Sequence, residues 1–329
     1  MDKELQLSIV VPVYNRPGEI GELLESLCAQ TDPDFEVLIV EDGSTLDCEE
    51  VCRQYSEKLQ LNYLFKPNSG RSDSRNYGME RARGNYFLIF DSDCLLPPDY
   101  IQKVRTHLRE HYLDCYGGPD KAAGDFTNRQ KAINYAMTSF LTTGGIRGGG
   151  KKKASFTPRS FNMGISKEVF RQVGGFKNIV GEDIDLSIRI KKAGFSTGLL
   201  SDAFVYHKRR VDLKSFYRQV KTFGKGRVLI SRMHPGSMKL LHLLPLIFVL
   251  VHVLLLLLSL FFLNPWFLLP LPVYMLILFL DSLFKNKHAG IAALSVLAAY
   301  IQLFGYGLGL GNELLTKKAY TSTQEELYK

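Results

Sequence analysis

A chain of 329 residues with a formal net charge of +8 is long enough for one large domain and a further element. The charge invites a polyanionic partner, either nucleic acid or an anionic membrane. The basic residues crowd between Lys208 and Lys239, just before a long apolar stretch and with Asp212 the only acid among them. That placement suits phospholipid headgroups and speaks against nucleic acid.

Met1-Asp2-Lys3-Glu4 runs straight into a strand, and no signal peptide is expected. Leu7–Val13 reads as a buried strand. The turn Tyr14-Asn15-Arg16-Pro17-Gly18 follows, with Asn15 expected to cap a helix. Ile20, Leu23, Leu24 and Leu27 recur at helical spacing. Phe35–Val40 is a second buried strand ending in Glu41-Asp42-Gly43-Ser44. A helix over Asp47–Lys58, a strand over Asn62–Phe65 and a loop running into a helix over Ser69–Arg83 come next. Cys28, Cys48, Cys52, Cys94 and Cys115 are odd in number and lack the paired spacing of a zinc site, so reduced packing thiols are expected.

Tyr86–Phe90 is short, wholly apolar or aromatic, and reads as a strand buried on both faces. It delivers Asp91, Ser92 and Asp93 where it ends. Strands alternating with helices imply βαβ units and a mostly parallel sheet, whose ligands bind beyond the carboxyl ends of the strands. Asp42 and the pair Asp91/Asp93 thus leave one sheet edge, where two hard carboxylates can hold a divalent cation that bridges a diphosphate. The bland reading of Asp91 is a polar turn that caps the next segment.

Pro97-Pro98 starts a helix bearing Ile101, Val104 and Leu108. Gly144–Lys153 reads GGIRGGGKKK, either a passive linker or a mobile lid for a phosphate or headgroup. Phe161–Ile165 is a further strand, followed by a helix and the turn Gly174-Gly175-Phe176. Gly181-Glu182-Asp183 opens a helix whose apolar surface is expected from Ile184, Leu186, Ile188 and Ile190. Acids there are favoured by the helix dipole alone. Leu240–Leu263, Trp266–Phe284 and Ala289–Leu310 are each long enough to cross a bilayer. Lys285-Asn286-Lys287 places that connection, and with it the N-terminal half, on the cytoplasmic side of an inner or plasma membrane, the C-terminal tail lying opposite. Asp281 is expected near the interface.

Three acidic clusters on one sheet edge suit sugar transfer from a nucleoside diphosphate. That reaction needs a cation for the leaving diphosphate and a general base for the acceptor hydroxyl. The segments VVPVYNR, VEDGS, NSGRSDSRNYG, FDSDC, FNMGIS, VGGF and GEDIDLSIRI, followed by His207-Lys208-Arg209, resemble inverting family 2 glycosyltransferases of GT-A fold over Leu7–Arg227. Together with the composition, the resemblance divides the chain into a catalytic domain over 1–207, a basic interfacial helical segment over 208–239, transmembrane helices over 240–312 and a polar tail over 313–329. It implies that Pro12, Tyr14, Glu41 and Asp42 lie at the nucleobase, that Arg75 and Asn76 contact the nucleotide, and that Asp91 and Ser92 lie at the ribose and phosphate side. It assigns Asp93, and with less specificity His207, to Mg²⁺ or Mn²⁺. It makes Asp183 the base, with Glu182 beside it.

Glu41-Asp42 departs from the commoner Asp-Asp. Gln219-Val220-Lys221-Thr222-Phe223 lacks the Arg and Trp of the processive Q-x-x-R-W pattern, so transfer of a single sugar is expected in glycan or polysaccharide biosynthesis. The expected donor is a nucleotide sugar, foremost a UDP-sugar, and the acceptor a lipid-linked or membrane-proximal glycan. A polyprenyl-phosphate acceptor with a GDP- or UDP-sugar is the enzymatic alternative. A non-catalytic membrane protein that binds nucleotide or a partner is the alternative of another class.

Overall fold

The structure, a computed structural model, describes residues 4–121, 127–144, 157–207 and 212–316. They form two compact units. The α/β unit begins with β1 (Leu7–Val13), α1 (Pro17–Cys28), β2 (Phe35–Asp42), α2 (Glu49–Arg53), β3 (Gln60–Lys66), α3 (Arg71–Arg81) and β4 (Tyr86–Phe90). It continues with β5 (Cys94–Leu95), α4 (Tyr100–Glu110), β6 (Cys115–Gly117) and β7 (Asp120–Lys121). α5 (Asn128–Thr138) and α6 (Phe140–Thr143) belong to the second unit. β8 (Asn162–Ser166), α7 (Lys167–Val173), α8 (Glu182–Lys192), β9 (Thr197–Leu199) and β10 (Val205–His207) complete the first.

Seven strands form one sheet in the order β3-β2-β1-β4-β8-β6-β9. Only β8 runs against its neighbours, so the sheet is mostly parallel but mixed. Alternating side chains divide the core into two faces, as the two-residue period of a strand requires. Ile9, Val11, Ile39, Leu88 and Phe90 pack with Leu23 and Leu27 of α1 and Val104 of α4. Val10, Leu38, Val40, Phe87 and Ile89 pack with Met79 of α3, Val169 of α7 and Leu186 and Ile190 of α8. A small sheet, β5-β10-β7, sits beyond the end of β4.

Several local expectations are corrected. α2 covers only Glu49–Arg53 of the expected Asp47–Lys58. Asn15 caps no helix: it adopts φ 54° and its side-chain oxygen accepts from the Thr45 and Leu46 amides at 2.9 Å each. Asparagine tolerates this left-handed backbone better than most residues. In α8, Leu186 and Ile190 reach the core with Glu182 and Asp185, while Ile184 and Ile188 are half-buried. The 3.6-residue period turns every second residue of IDLSIRI away from its predecessor.

The second unit also holds α9 (Leu213–Met233), α10 (Leu244–Phe261), α11 (Pro270–Asn286) and α12 (Ala289–Leu315). Leu244–Phe261, Pro265–Asn286 and Ala289–Leu315 are long and apolar enough to cross a membrane. Phe216, Val220, Gly224 and Val228, spaced by four, are buried in α9. A Cβ on Gly224 would lie 2.2 Å from the Tyr306 carbonyl oxygen, and one on Gly309 would lie 2.1 Å from that of Lys221. Missing side chains thus let α9 and α12 touch backbone to backbone. A boundary at residue 207 would assign α5 to the α/β unit, yet Ala132, Ile133 and Ala136 pack against Phe216, Val220, Leu278 and Ala298. The greater part of Gly144–Lys153, residues 208–211 and the tail beyond 316 lie outside the described residues.

Candidate active site

β1 to β4 run parallel, with Val13 opposite Glu41 and Asp42 opposite Lys66, so their carboxyl ends form one edge. β8 starts at that edge because it is reversed, Asn162 lying opposite Phe90. Tyr14, Asp42, Lys66, Asp91 and the approach to β8 therefore converge where open α/β sheets bind ligands.

Asp91 and Glu182 meet through Arg75, whose side chain is 1% exposed. Its Nη2 donates to Asp91 Oδ1 at 2.6 Å and its Nη1 to Glu182 Oε1 at 3.2 Å. The Phe176 ring lies 5.2 Å from the guanidinium carbon. Arg71, one helical turn earlier on the same face of α3, donates through Nη2 to Glu182 Oε2 at 3.1 Å. Burial would raise the Glu182 pKa, but the Arg71 and Arg75 charges outweigh it and hold the carboxyl below its ordinary range.

The other acids have partners too. Asp93 Oδ2 accepts from Arg16 Nη1 at 3.2 Å. Asp183, in the first turn of α8, accepts from Arg159 Nη1 at 3.3 Å and from the Ile184 amide at 2.8 Å. Asp42 is 1% exposed and accepts from Lys66 Nζ and from the Ser69 and Gly70 amides, the latter at 3.0 and 2.9 Å. Glu41 is fully buried, accepting from the Ser44 hydroxyl and, at 2.9 Å, from the Cys48 amide. Glu41, placed at the nucleobase by the resemblance, closes the turn after β2 through these bonds. Asn76 similarly spends both amide atoms on the Phe176 backbone, at 2.8 Å each. It holds the Gly174-Gly175-Phe176 turn, and through it the ring that covers Arg75.

Pro12 and Tyr14 are half-buried at the end of β1, and Ser92 is buried. Cys94 is buried beside the pair, and burial together with the Asp93 and Asp91 charges pushes its thiol pKa well up. β10 pairs with β5 so that position 207 stands opposite Cys94, next to Asp93; the His207 side chain lies outside the described part of the structure.

Sequence reasoning missed the cations. Arg16, Lys66, Arg71 and Arg159 each pair with an acid of this edge. Only Arg71 carried a legible signal, its four-residue spacing from Arg75. Asp185 was missed as well: fully buried, it accepts from Arg189 Nε at 2.8 Å, and Arg189 bonds the Val173 and Gly175 carbonyls at 2.8 and 2.7 Å.

Among the described residues no group of three or more His, Cys, Asp or Glu could hold a metal ion. The donors present still fit one of the hard divalent cations. Mg²⁺, for example, usually binds through one or two carboxylates plus water and substrate phosphates, not an all-protein cage. Asp93, 19% exposed, and Asp91, 34% exposed, are two such oxygen donors in reach of solvent.

Residues 8–174 match the family described as Glycosyl transferase family 2. Glycosyltransferase GlyA of Streptococcus pneumoniae is 33% identical over 114 residues, covering 34% of this chain and 16% of GlyA. The chain thus spans about a sixth of the length of that relative. Glycosyltransferase AglE of Haloferax volcanii is 25% identical over 242 residues, covering 68% of this chain and 73% of AglE. Among solved structures, the mannosyltransferase PcManGT from Pyrobaculum calidifontis, in complex with GDP-Man and Mn²⁺, superposes with a TM-score of 0.61. The superposition covers 96% of this chain and 89% of PcManGT at 16% identity, a likeness of fold.

Proposed function

We propose that this chain, which belongs to glycosyl transferase family 2, moves a single sugar with inversion from a nucleotide donor, foremost a UDP-sugar, to a lipid-linked or membrane-proximal glycan at the cytoplasmic face of a membrane. The observation that carries the reading is the Arg75 bridge from Asp91 to Glu182. It ties the strand end that can bind a diphosphate–metal group to the helix that presents Asp183.

Asp183 takes the proton of the acceptor hydroxyl as its oxygen attacks the anomeric carbon and the bond to the departing diphosphate breaks. Arg159, paired with Asp183 at 3.3 Å, orients that carboxylate and must yield one lone pair to the acceptor. Glu182 stays ionised between two arginines and serves as the fixed counter-charge of Arg75, not as a proton carrier. Asp93 and Asp91 would hold Mg²⁺ or Mn²⁺, which supplies charge neutralisation for the leaving diphosphate. Arg16 gives up its contact with Asp93 as the donor enters. Asp42 shapes the base pocket by pinning the Ser69–Gly70 turn through its two amides. The lipid-headgroup role of the basic segment, and His207 as a further metal or diphosphate ligand, are parts of the same proposal.

Titration of the solubilised protein with UDP and GDP, with and without Mn²⁺, tests the donor class and the metal together. Mn²⁺-dependent UDP binding is expected. Preference for GDP would move the reading to a GDP-sugar enzyme acting on polyprenyl phosphate. Binding of neither would leave the non-catalytic alternative.

A further inference from the structure

The insertion at residues 127–144 carries chemistry that the transfer reaction does not use. α5 begins polar, with a capping box between Thr127 and Gln130, and Arg129 and Lys131 in its first turn. After Lys131 no charged residue occurs before Arg147.

The contacts of this stretch lie progressively further along α11, counted from its basic end at Lys285. Tyr135 donates its hydroxyl to Asp281 Oδ2 at 2.6 Å, and Asp281 also accepts from Lys285 Nζ at 2.8 Å. Beyond them, the Leu141 carbonyl accepts from the Tyr274 hydroxyl at 3.0 Å. Tyr274 precedes Lys285 by eleven residues, about 16 Å along a helix axis.

Beyond Lys131 the hydroxyls make bonds to backbone or to Asp281. Thr138 bonds the Asn134 carbonyl, Ser139 reaches Asp281, and Thr142 and Thr143 bond the Ser139 carbonyl. Phe140, by contrast, is 72% exposed and Leu141 36% exposed. Hydroxyls bonded within the protein beside exposed aromatic and aliphatic side chains are what hydrocarbon requires and water does not. At 11 residues, about 16 Å, α5 is too short to cross the roughly 30 Å core of a bilayer.

We infer that residues 135–144 are inserted in the bilayer without spanning it, entering at the Asp281–Lys285 level and placing Phe140 and Leu141 among the acyl chains beside α11, with Arg129 and Lys131 left on the polar side of that level. The inference rests on reading the three long apolar helices as membrane spans. It adds a lipid-contacting element outside them.

Trp266 is the only tryptophan in the chain, which gives a direct test. In a Trp266→Phe background, Phe140→Trp, Leu141→Trp and, as a mid-span reference, Leu254→Trp are reconstituted singly in phosphatidylcholine vesicles. Fluorescence is read with acyl-brominated lipid and with aqueous iodide. Phe140→Trp should lose most of its emission to brominated lipid and resist iodide, with Leu141→Trp behaving alike should Phe140→Trp fail to fold. Iodide quenching without lipid quenching would place the residue in water and overturn the inference. Resistance to both would mean that protein covers it, which overturns the inference equally. Loss of lipid quenching at Leu254→Trp would instead bring down the spanning reading itself.

Discussion

Arg75 is the residue that joins Asp91 to Glu182. Removing either carboxylate leaves part of a buried positive charge without compensation, whereas removing both partners of a pair costs less. Glu182→Gln should therefore destabilise the protein by about 3 kcal/mol, at the low end for a broken buried pair because Asp91 still faces Arg75. The pH dependence follows from the direction of the shift. The folded-state pKa of Glu182 is lowered, so its contribution is complete above the ordinary carboxylate range and is lost as pH falls through the folded-state value. Melting temperatures of the wild type and Glu182→Gln should differ most at pH 7 and draw together only as the pH falls below the ordinary carboxylate range and through the lowered folded-state value. Asp183→Asn should lower turnover about 100- to 10,000-fold, the span of a positioned general base, while donor binding stays near the wild-type value. Isothermal titration beside a transfer assay separates the two; full turnover would remove Asp183 from the role.

Among the elements, α12 depends on its glycines. Gly305 and Gly309 face α9, where added Cβ atoms would lie 2.6 Å from the Val220 side chain and 2.1 Å from the Lys221 carbonyl oxygen. Gly307 faces α10, 2.4 Å from the Pro245 carbonyl oxygen. Backbone cannot give way as a flexible side chain can, so Gly309→Ala should cost about 1–3 kcal/mol or more through forced separation of the helices. Thermal unfolding in detergent measures this, with Gly18→Ala, where nothing lies within 4 Å, as the neutral control. Arg232 secures the far end of α12, donating to the Glu313 and Thr316 carbonyls at 2.8 Å each and to Glu313 Oε1 at 3.0 Å. α9 therefore serves as a packing partner of α12 as well as the carrier of basic charge before the first long apolar helix.

For the whole molecule, if the three long apolar helices cross a membrane as proposed, positive charge at Lys285 and Lys287 predicts that the C-terminal tail lies on the opposite side. A reporter fused after Lys329 should be active when it is one that works outside the cytoplasm and silent when it is one that works inside. The reverse pattern would contradict both the span count and the assignment of the α/β unit to the cytoplasmic face.

The strands were legible because a buried strand needs an unbroken apolar run and little else: Leu7–Val13 and Tyr86–Phe90 are bounded in the structure where the sequence bounds them. The three long helices were legible for the same reason on a larger scale, since bilayer thickness sets a length that composition reveals. The acids of the site were legible as motifs. Their partners were not, because Arg16–Asp93, Arg75–Glu182 and Arg159–Asp183 join residues from 24 to 107 positions apart. A surface arginine and a buried bridging one also look identical in a sequence. The assignment of α5 escaped for a related reason: its Ala132, Ile133 and Ala136 face is apolar in any surroundings, and only the fold decides that it meets Leu278 and Ala298. The sequence by itself determined which segments must leave water. The tertiary structure alone decided which of them meet, because pairing energy depends on distance in space and desolvation on what covers the pair.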